Sequence, residues 1–323
     1  MTIIFFGSDD FAATHLEALV KTKHRIVGCV TPLDKPQGRG MKMIYSPVKT
    51  IAVENNIPVW QPADARDTTF LDQLKKAGAD LFVVIAYGRI LPLSVLGLAK
   101  KMAVNVHASL LPKYRGAAPI NWAIMNGDEE TGLTIIKMNE QMDAGDILVQ
   151  EKISIAPLET APSLRGKMIR VGPTLLRNAI QSIEEDHYVM TKQDSKAATL
   201  APKLTKELGR IDWNKSARQI ECLVRGLLPW PSAYTFYQGK MLKVLEAEVG
   251  PALSAVQTQK IHPQPGDILE VSAKGILVAT STSFTAAYHG SLLIKQVHLE
   301  SAKLMTTGEF IRGHAIKPGE KLG

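Results

Sequence analysis

The stretch Met102-Ala-Val-Asn105-Val-His107-Ala-Ser109-Leu-Leu-Pro112-Lys-Tyr-Arg115-Gly116 decides the fold. Met102 to Val106 reads as a short, nearly continuous apolar strand, the pattern of a strand buried on both faces of a sheet. Thr2 to Phe6, Ile26 to Val30 and Leu81 to Ala86 have the same character. Phe11 to Val20, Pro47 to Glu54, Thr69 to Ala77 and Pro119 to Met125 have helical spacing. Strands alternating with helices predict an α/β, Rossmann-like, mostly parallel sheet. Such sheets bind ligands beyond the carboxyl ends of their strands. Asn105 and His107 stand at that end of their strand, two residues apart, so both side chains point to one side.

Working outward, Leu133 to Met138 and Ile147 to Ile155 read as a further strand pair. The cluster Met142-Asp143-Ala-Gly145-Asp146 lies in the connection between them. A helix from about Ala161 to Glu185 closes a first domain, residues 1–190. The mixed, polar segment that follows is expected as a linker over 191–208, with a second domain over 209–323. There Ser216 to Leu227 has helical spacing. Ala233 to Tyr237, Met241 to Val249, Gly266 to Val271, Gly275 to Thr280 and Leu292 to Leu299 read as short strands. Short strands between glycine turns suggest a small barrel or sandwich. The loop from Thr31 to Pro47 holds Pro32, Pro36, Gly38, Gly40 and Pro47, which disfavour regular structure, together with Lys35, Arg39 and Lys42. Long loops of this kind inside a compact domain are often functional.

Bulk properties narrow the class. With 323 residues, 45% of them hydrophobic and 21% charged, the composition is that of a globular protein with room for two cores. No apolar run approaches the ~20 residues of a membrane helix. Met1 to Gly7 lacks the basic flank and length of a signal peptide and reads as a first buried strand. Cys29 and Cys222 are the only cysteines, so neither a disulfide framework nor a cysteine-based metal site is expected, and the expected setting is cytoplasmic. The net charge is +7, and +5 of it falls in 201–323, where 15 Lys and Arg meet 10 Asp and Glu. A basic second domain favours a polyanionic partner, because neutralising phosphates releases counterions.

Singly, the candidate residues are weak. A lone histidine is usually a satisfied core residue, Asn105 fits a turn, and Asp143 fits a cap ahead of Gly145. Together they suit acyl transfer without a metal or a covalent intermediate. An amide and an imidazolium can each donate to an oxyanion, one such donor being worth ~3–4 kcal/mol. A neighbouring carboxylate favours the charged imidazole, fixes its tautomer and can receive a proton. Ser109 lacks the Gly-x-Ser-x-Gly elbow of a nucleophilic serine. Gly7-Ser-Asp-Asp-Phe-Ala12 lacks the glycine fingerprint for dinucleotides and puts acids where a pyrophosphate would sit. No set of residues has metal-ligand spacing.

The segments Asn105 to Pro112, Arg115-Gly-Ala-Ala-Pro-Ile120 and Met142 to Asp146 resemble those of the methionyl-tRNA formyltransferases. So do Pro36-Gln-Gly-Arg39-Gly40, Ser46-Pro-Val-Lys49, Ala201-Pro-Lys-Leu204 and Pro229-Trp-Pro231. The matches run in order over nearly the whole chain. The resemblance implies transfer of a formyl group from 10-formyltetrahydrofolate to the amino group of methionyl initiator tRNA. It implies Asn105, His107 and Asp143 as catalytic residues, and no metal. Ser109, Leu110, Leu111 and Pro112 would line the folate site, with the backbone of Arg89, Ile90 and Leu91 holding the pterin. Arg39, with Lys42 on the same loop, would meet the acceptor end of the tRNA, and Lys203, Lys206 and Arg210 would lie on the tRNA side. The second domain would be OB-like and the protein a monomer. Arg89 departs from the apolar residue expected there, and the polar stretch Ser281 to Gly290 has no clear counterpart. Two rivals stand beside this reading: a formyltransferase acting on a small amine (an amino sugar or a glycinamide nucleotide), and a non-catalytic RNA-binding protein.

Overall fold

The computed structural model describes residues 1–37, 42–251, 263–281, 290–300 and 303–323. The chain divides into two compact units. Met1–Pro119, Glu130–Ser154 and Arg165–Pro202 form the first; Ile120–Glu129, Ile155–Leu164 and Lys203–Gly323 form the second.

The first unit is built on β1 (Thr2–Gly7), β2 (Arg25–Val30), β5 (Val59–Trp60), β6 (Leu81–Ile85), β7 (Met102–His107), β9 (Glu130–Lys137) and β10 (Ile147–Ser154). Small ribbons add β3 (Lys35–Gln37), β4 (Lys42–Ile44), β8 (Arg115–Gly116) and β11 (Leu200–Ala201). The seven main strands stand in the order β10-β9-β7-β6-β1-β2-β5. From β5 to β7 they are parallel, and β9 and β10 add an antiparallel edge. The order follows from the chain path. It runs outward from β1 through β2 to β5, then returns to place β6 on the other side of β1. The direction of winding therefore reverses between β1 and β6, where open α/β sheets leave a crevice for ligands. Ser8 and Ala86, just beyond these two strands, are tied across that point by the Ser8 hydroxyl donating to the Ala86 carbonyl at 2.8 Å.

The apolar runs form strands because both faces of the sheet are covered. Ile3, Ile4, Phe5, Phe6, Leu81, Phe82, Val83 and Ile85 are all fully buried. The helix Asp10–Val20 begins where Asp9 accepts the Ala12 N–H at 3.0 Å, filling one of the orphan donors of a helix start. The helix Thr68–Ala77 ends on Gly78 in a left-handed cap. One difference from the sequence reading lies in the 31–47 loop, which contains the β3–β4 ribbon rather than irregular chain throughout. A two-stranded ribbon tolerates Pro36, because only alternate peptide groups of each strand face the partner. The segment after Thr191 lies along the first unit. Thr191 exchanges backbone hydrogen bonds with Ile147, and β11 pairs in parallel with β8, so this part of the chain is laced onto the first unit.

The second unit carries an antiparallel sheet in the order β12-β13-β16-β15-β14. Its strands are β12 (Ala233–Tyr237), β13 (Lys240–Val249), β14 (Ile268–Ser272), β15 (Gly275–Thr280) and β16 (Gly290–Leu299); β17 (Met305–Thr306) pairs with β16. The helix Ala217–Gly226 opens with a full capping box between Ser216 and Gln219, and its apolar side joins Trp213, Leu242, Val244, Ile276, Ile294 and Phe310 in one core. Residues 319–323 run between the two end strands. Ile268 of β14 bonds to Gly319 and Glu320, while the Gly323 N–H donates to the Phe236 carbonyl of β12. Most of the stretch 281–290 lies outside the described residues.

Candidate active site

His107 is the last residue of β7 and pairs with Thr134 of β9; Asn105 lies opposite Ile136 on one side and Val84 on the other. The alternation of the strand thus delivers both side chains to one face at the carboxyl end of the sheet. His107 is buried, and its Nε2 donates to the Tyr114 carbonyl at 2.8 Å. Its Nδ1 faces Asp143 Oδ1 at 3.6 Å. A carbonyl can only accept, so the Tyr114 bond assigns the Nε2 proton, and a second proton, when present, sits between His107 and the carboxylate. Asn105 is half-buried, and its amide bonds to no other described residue.

Asp143 is held on several sides. Its Oδ2 accepts the Gly116 N–H at 2.9 Å. Its backbone is left-handed, φ +53°, a conformation uncommon for a residue with a side chain. The turn that carries it packs so closely that a Cβ at Gly145 would stand 1.7 Å from the Lys137 carbonyl oxygen. The Gln193 amide donates to the Asp143 carbonyl at 2.8 Å and to the Gly145 carbonyl at 2.7 Å. Gln193 Oε1 accepts from the Arg115 guanidinium at 3.1 and 2.7 Å. Gln193 and Arg115 are parts of the site that sequence reading missed. Gln193 falls in a polar segment with no pattern to separate it from its neighbours, and Arg115 stands in a motif that gives it no separate role.

The 109–112 loop is equally tied. The Ser109 hydroxyl donates to the Lys113 carbonyl at 2.6 Å. Thr134 donates to the Ser109 carbonyl at 2.6 Å and accepts the Leu111 N–H at 3.1 Å. Gln150 reaches both the Leu111 carbonyl and Thr134 Oγ1 at 2.9 Å. Ser109 and Leu111 are buried, Leu110 and Pro112 half-buried. The Ser109 hydroxyl is thus engaged in shaping the loop and is not presented as a nucleophile. Cys29 offers none either, because burial pushes its thiol up to about 12. A buried threonine within the apolar run Leu133-Thr-Ile-Ile136 was the available signal for Thr134.

Arg89, Ile90 and Leu91 follow β6, the neighbour of β7. Arg89 donates to the carbonyls of Pro62 and Ala63 at 2.8 and 3.1 Å. Ile90 is 77% exposed, while Leu91 is buried in the core. The peptide groups of these three residues bond to no other described residue, leaving a run of donors and acceptors at the ligand end of the sheet. The acids after β1 are accounted for. Asp9 caps its helix, and Arg165 binds Asp9 at 2.7 Å and both oxygens of Asp10 at 2.5 and 2.7 Å. Arg165 holds the Asp10 carboxyl below its usual range.

Arg39 lies outside the described residues, and Lys42 begins β4. At the foot of their loop, Lys49 pairs with Asp34, donates to Gln61 at 2.8 Å and sits 4.1 Å from the centre of the Tyr45 ring. The Lys49 hydrogen bond holds the Asp34 carboxyl low. Lys203, Lys206 and Arg210 are all exposed in the second unit, with Arg210 5.8 Å from the Phe236 ring centre. Among the described residues, no group of His, Cys, Asp and Glu could hold a metal ion, and no helix is long and apolar enough to cross a membrane.

Residues 1–180 match the family of formyl transferases, and residues 203–315 match the formyl transferase C-terminal domain. A methionyl-tRNA formyltransferase of Lachnospira eligens is 41% identical over 323 residues, all of both chains. Another, of Desulfotalea psychrophila, is 43% identical over 98% of this chain and 94% of its own. Among solved structures, the sugar 3N-formyl transferase WlaRD, in the presence of dTDP and 5-N-formyl-THF, aligns with a TM-score of 0.66 at 16% identity, covering 94% of this chain and 99% of its own. HypX from Aquifex aeolicus, in complex with tetrahydrofolic acid, aligns with a TM-score of 0.60 at 18% identity over 96% of this chain and 46% of its own.

Proposed function

The chain belongs to the methionyl-tRNA formyltransferase family, and on that premise we propose that it formylates the amino group of methionine on initiator tRNA. The observation that carries the chemistry is the approach of Asp143 to His107 at the carboxyl end of β7, on the strand face that Asn105 shares, with the open peptide groups of Arg89 to Leu91 following the neighbouring strand β6. 10-Formyltetrahydrofolate supplies the formyl group and departs as tetrahydrofolate. Its pterin edge needs alternating donors and acceptors, which the backbone of residues 89–91 offers. Ser109 to Pro112 line the same end of the sheet.

In this reading the methionine amine attacks the formyl carbon, a C–N bond forms and the carbonyl oxygen gains the negative charge. Asn105, whose amide has no protein partner among the described residues, donates to that oxygen. His107 adds a second donor by exchanging the Tyr114 carbonyl for it. Asp143 receives, directly or through water, the proton the amine loses; as the carbonyl re-forms, the bond from the formyl carbon to the folate nitrogen breaks and that proton passes from Asp143 to the departing nitrogen. Each donor contributes on the order of 10²- to 10³-fold. Positioning of the reacting groups supplies much of the rest.

The acceptor follows from the relatives and the charge. Full-length identity of 41–43% attaches to methionyl-tRNA formyltransferases, against 16% for the sugar formyltransferase, and the net charge of +5 over residues 201–323 suits a polyanion. We assign residues 1–190 to the catalytic domain, 191–208 to the linker, whose first part lies along that domain, and 209–323 to the tRNA-binding domain. We read the latter as an OB-like barrel, supported by the tail that bonds to both end strands. Arg39 and Lys42 would contact the acceptor end, with Lys203, Lys206 and Arg210 along the tRNA, on a monomer in the cytoplasm. The test compares formylation of methionyl-tRNA with that of a free amino sugar, each with 10-formyltetrahydrofolate, across salt concentrations. The tRNA reaction is expected to dominate and to weaken steeply with salt, and Arg39→Ala is expected to raise KM for tRNA while sparing folate. Preferred use of the small amine overturns the assignment.

A further inference from the structure

We propose that residues 191–201 are a positioning strap for His107 and Asp143, with Gln193 as its principal clamp. The inference rests on the catalytic reading of those two residues. The strap reaches the partners of both. Thr199 Oγ1 accepts the Tyr114 N–H at 2.9 Å and the Thr199 carbonyl accepts the Arg115 N–H at 2.8 Å, which fixes the peptide whose carbonyl accepts the His107 hydrogen bond. Leu200 and Ala201 pair with Arg115 and Gly116, which fixes the N–H donated to Asp143. Gln193 then binds the carbonyls of Asp143 and Gly145 from the far side, while Arg115 holds its oxygen. A left-handed aspartate on a turn is a conformation the rest of the structure must impose, and Gln193 bonds to its carbonyl directly. One side chain therefore couples the Asp143 turn to the segment that also supports the His107 partner.

The bonds of Gln193 go to backbone carbonyls of the Asp143 turn and to Arg115, so its effect is on alignment rather than on binding. Gln193→Glu keeps an acceptor for Arg115 but removes the donor to both carbonyls; Gln193→Ala removes everything. Both variants are expected to lose kcat by on the order of 10- to 100-fold, the scale of a small misplacement, with KM for tRNA and for 10-formyltetrahydrofolate within about twofold of wild type. Thr199→Val is expected to show a smaller loss of the same kind. Circular dichroism at the assay temperature checks that the variants are folded. Unchanged kcat in both Gln193 variants overturns the proposal. So does a rise in KM for tRNA at constant kcat, or a loss that merely follows the folded fraction. Asp143→Asn is measured alongside. If it stays active, the catalytic reading itself fails. If it is inactive while the Gln193 variants are not, the strap alone fails.

Discussion

His15 and His107 are both buried, and both donate one ring nitrogen to a backbone carbonyl: His15 Nδ1 to Phe11 at 2.7 Å, His107 Nε2 to Tyr114 at 2.8 Å. They part at the other nitrogen. His15 Nε2 has no hydrogen-bond partner among the described residues and is packed so closely against the helix at Gly172 that a Cβ there would stand 2.3 Å away. His107 Nδ1 faces a carboxylate. Burial and a first hydrogen bond are common to a packing residue and to one proposed for catalysis. What distinguishes them is whether a second proton has somewhere to go.

The sharpest way to break the comparison is to remove each ring in turn. His107→Ala is expected to lower kcat for formyl transfer by about 10³-fold without unfolding the protein, read by single-turnover formylation and a melting curve. His15→Leu is expected to leave kcat near wild type. Similar losses in both would erase the distinction.

Gly116 tests the scaffold around His107 and Asp143. Its φ is +127°, and a Cβ there would stand 2.6 Å from the Ala201 carbonyl oxygen. Gly116→Ala should therefore loosen the β8–β11 pairing and shift the N–H that holds Asp143. The expected cost is ~1–3 kcal/mol of stability, read by denaturant unfolding, with a loss of activity on the order of tenfold.

The quieter histidine is expected to show itself through pH. Burial lowers His15 from 6.5 to about 4, so the unfolded chain binds this proton more readily than the folded one. Stability from this group is whole above pH 6.5 and falls as pH drops toward 4, by about 3 kcal/mol in total. His15→Leu should flatten the stability curve in that window. Acid loss at lower pH should persist, because the Lys23 hydrogen bond, helped by the N-terminal amine, holds Glu184 at about 2. An unchanged slope between pH 6.5 and 4 would mean that the His15 proton finds a partner after all.

The same contrast marks how far the sequence could be read. The parallel sheet was legible because its strands are apolar runs of the right length, and Asn105 and His107 because a two-residue spacing at a strand end leaves them one face. Asp143 was legible through the acidic cluster around it. The β3–β4 ribbon was not, since Pro36 and the glycines argue locally for irregular chain while pairing is a property of two segments. Gln193 was not, because its importance comes from two carbonyls 48 and 50 residues away that no local pattern announces. His15 gave no signal of its environment, which is set by helix packing across more than 150 residues of chain.

The central claim is that Asp143 completes a proton-handling site with His107 and Asn105. Single-turnover formylation of methionyl-tRNA by Asp143→Asn, with both substrates saturating, tests it most directly. The asparagine can still accept the Gly116 N–H, so the fold is kept while the charge facing His107 is lost. The account predicts a transfer rate lower by about 10²- to 10⁴-fold with both substrates still bound. A rate near that of wild type would contradict it.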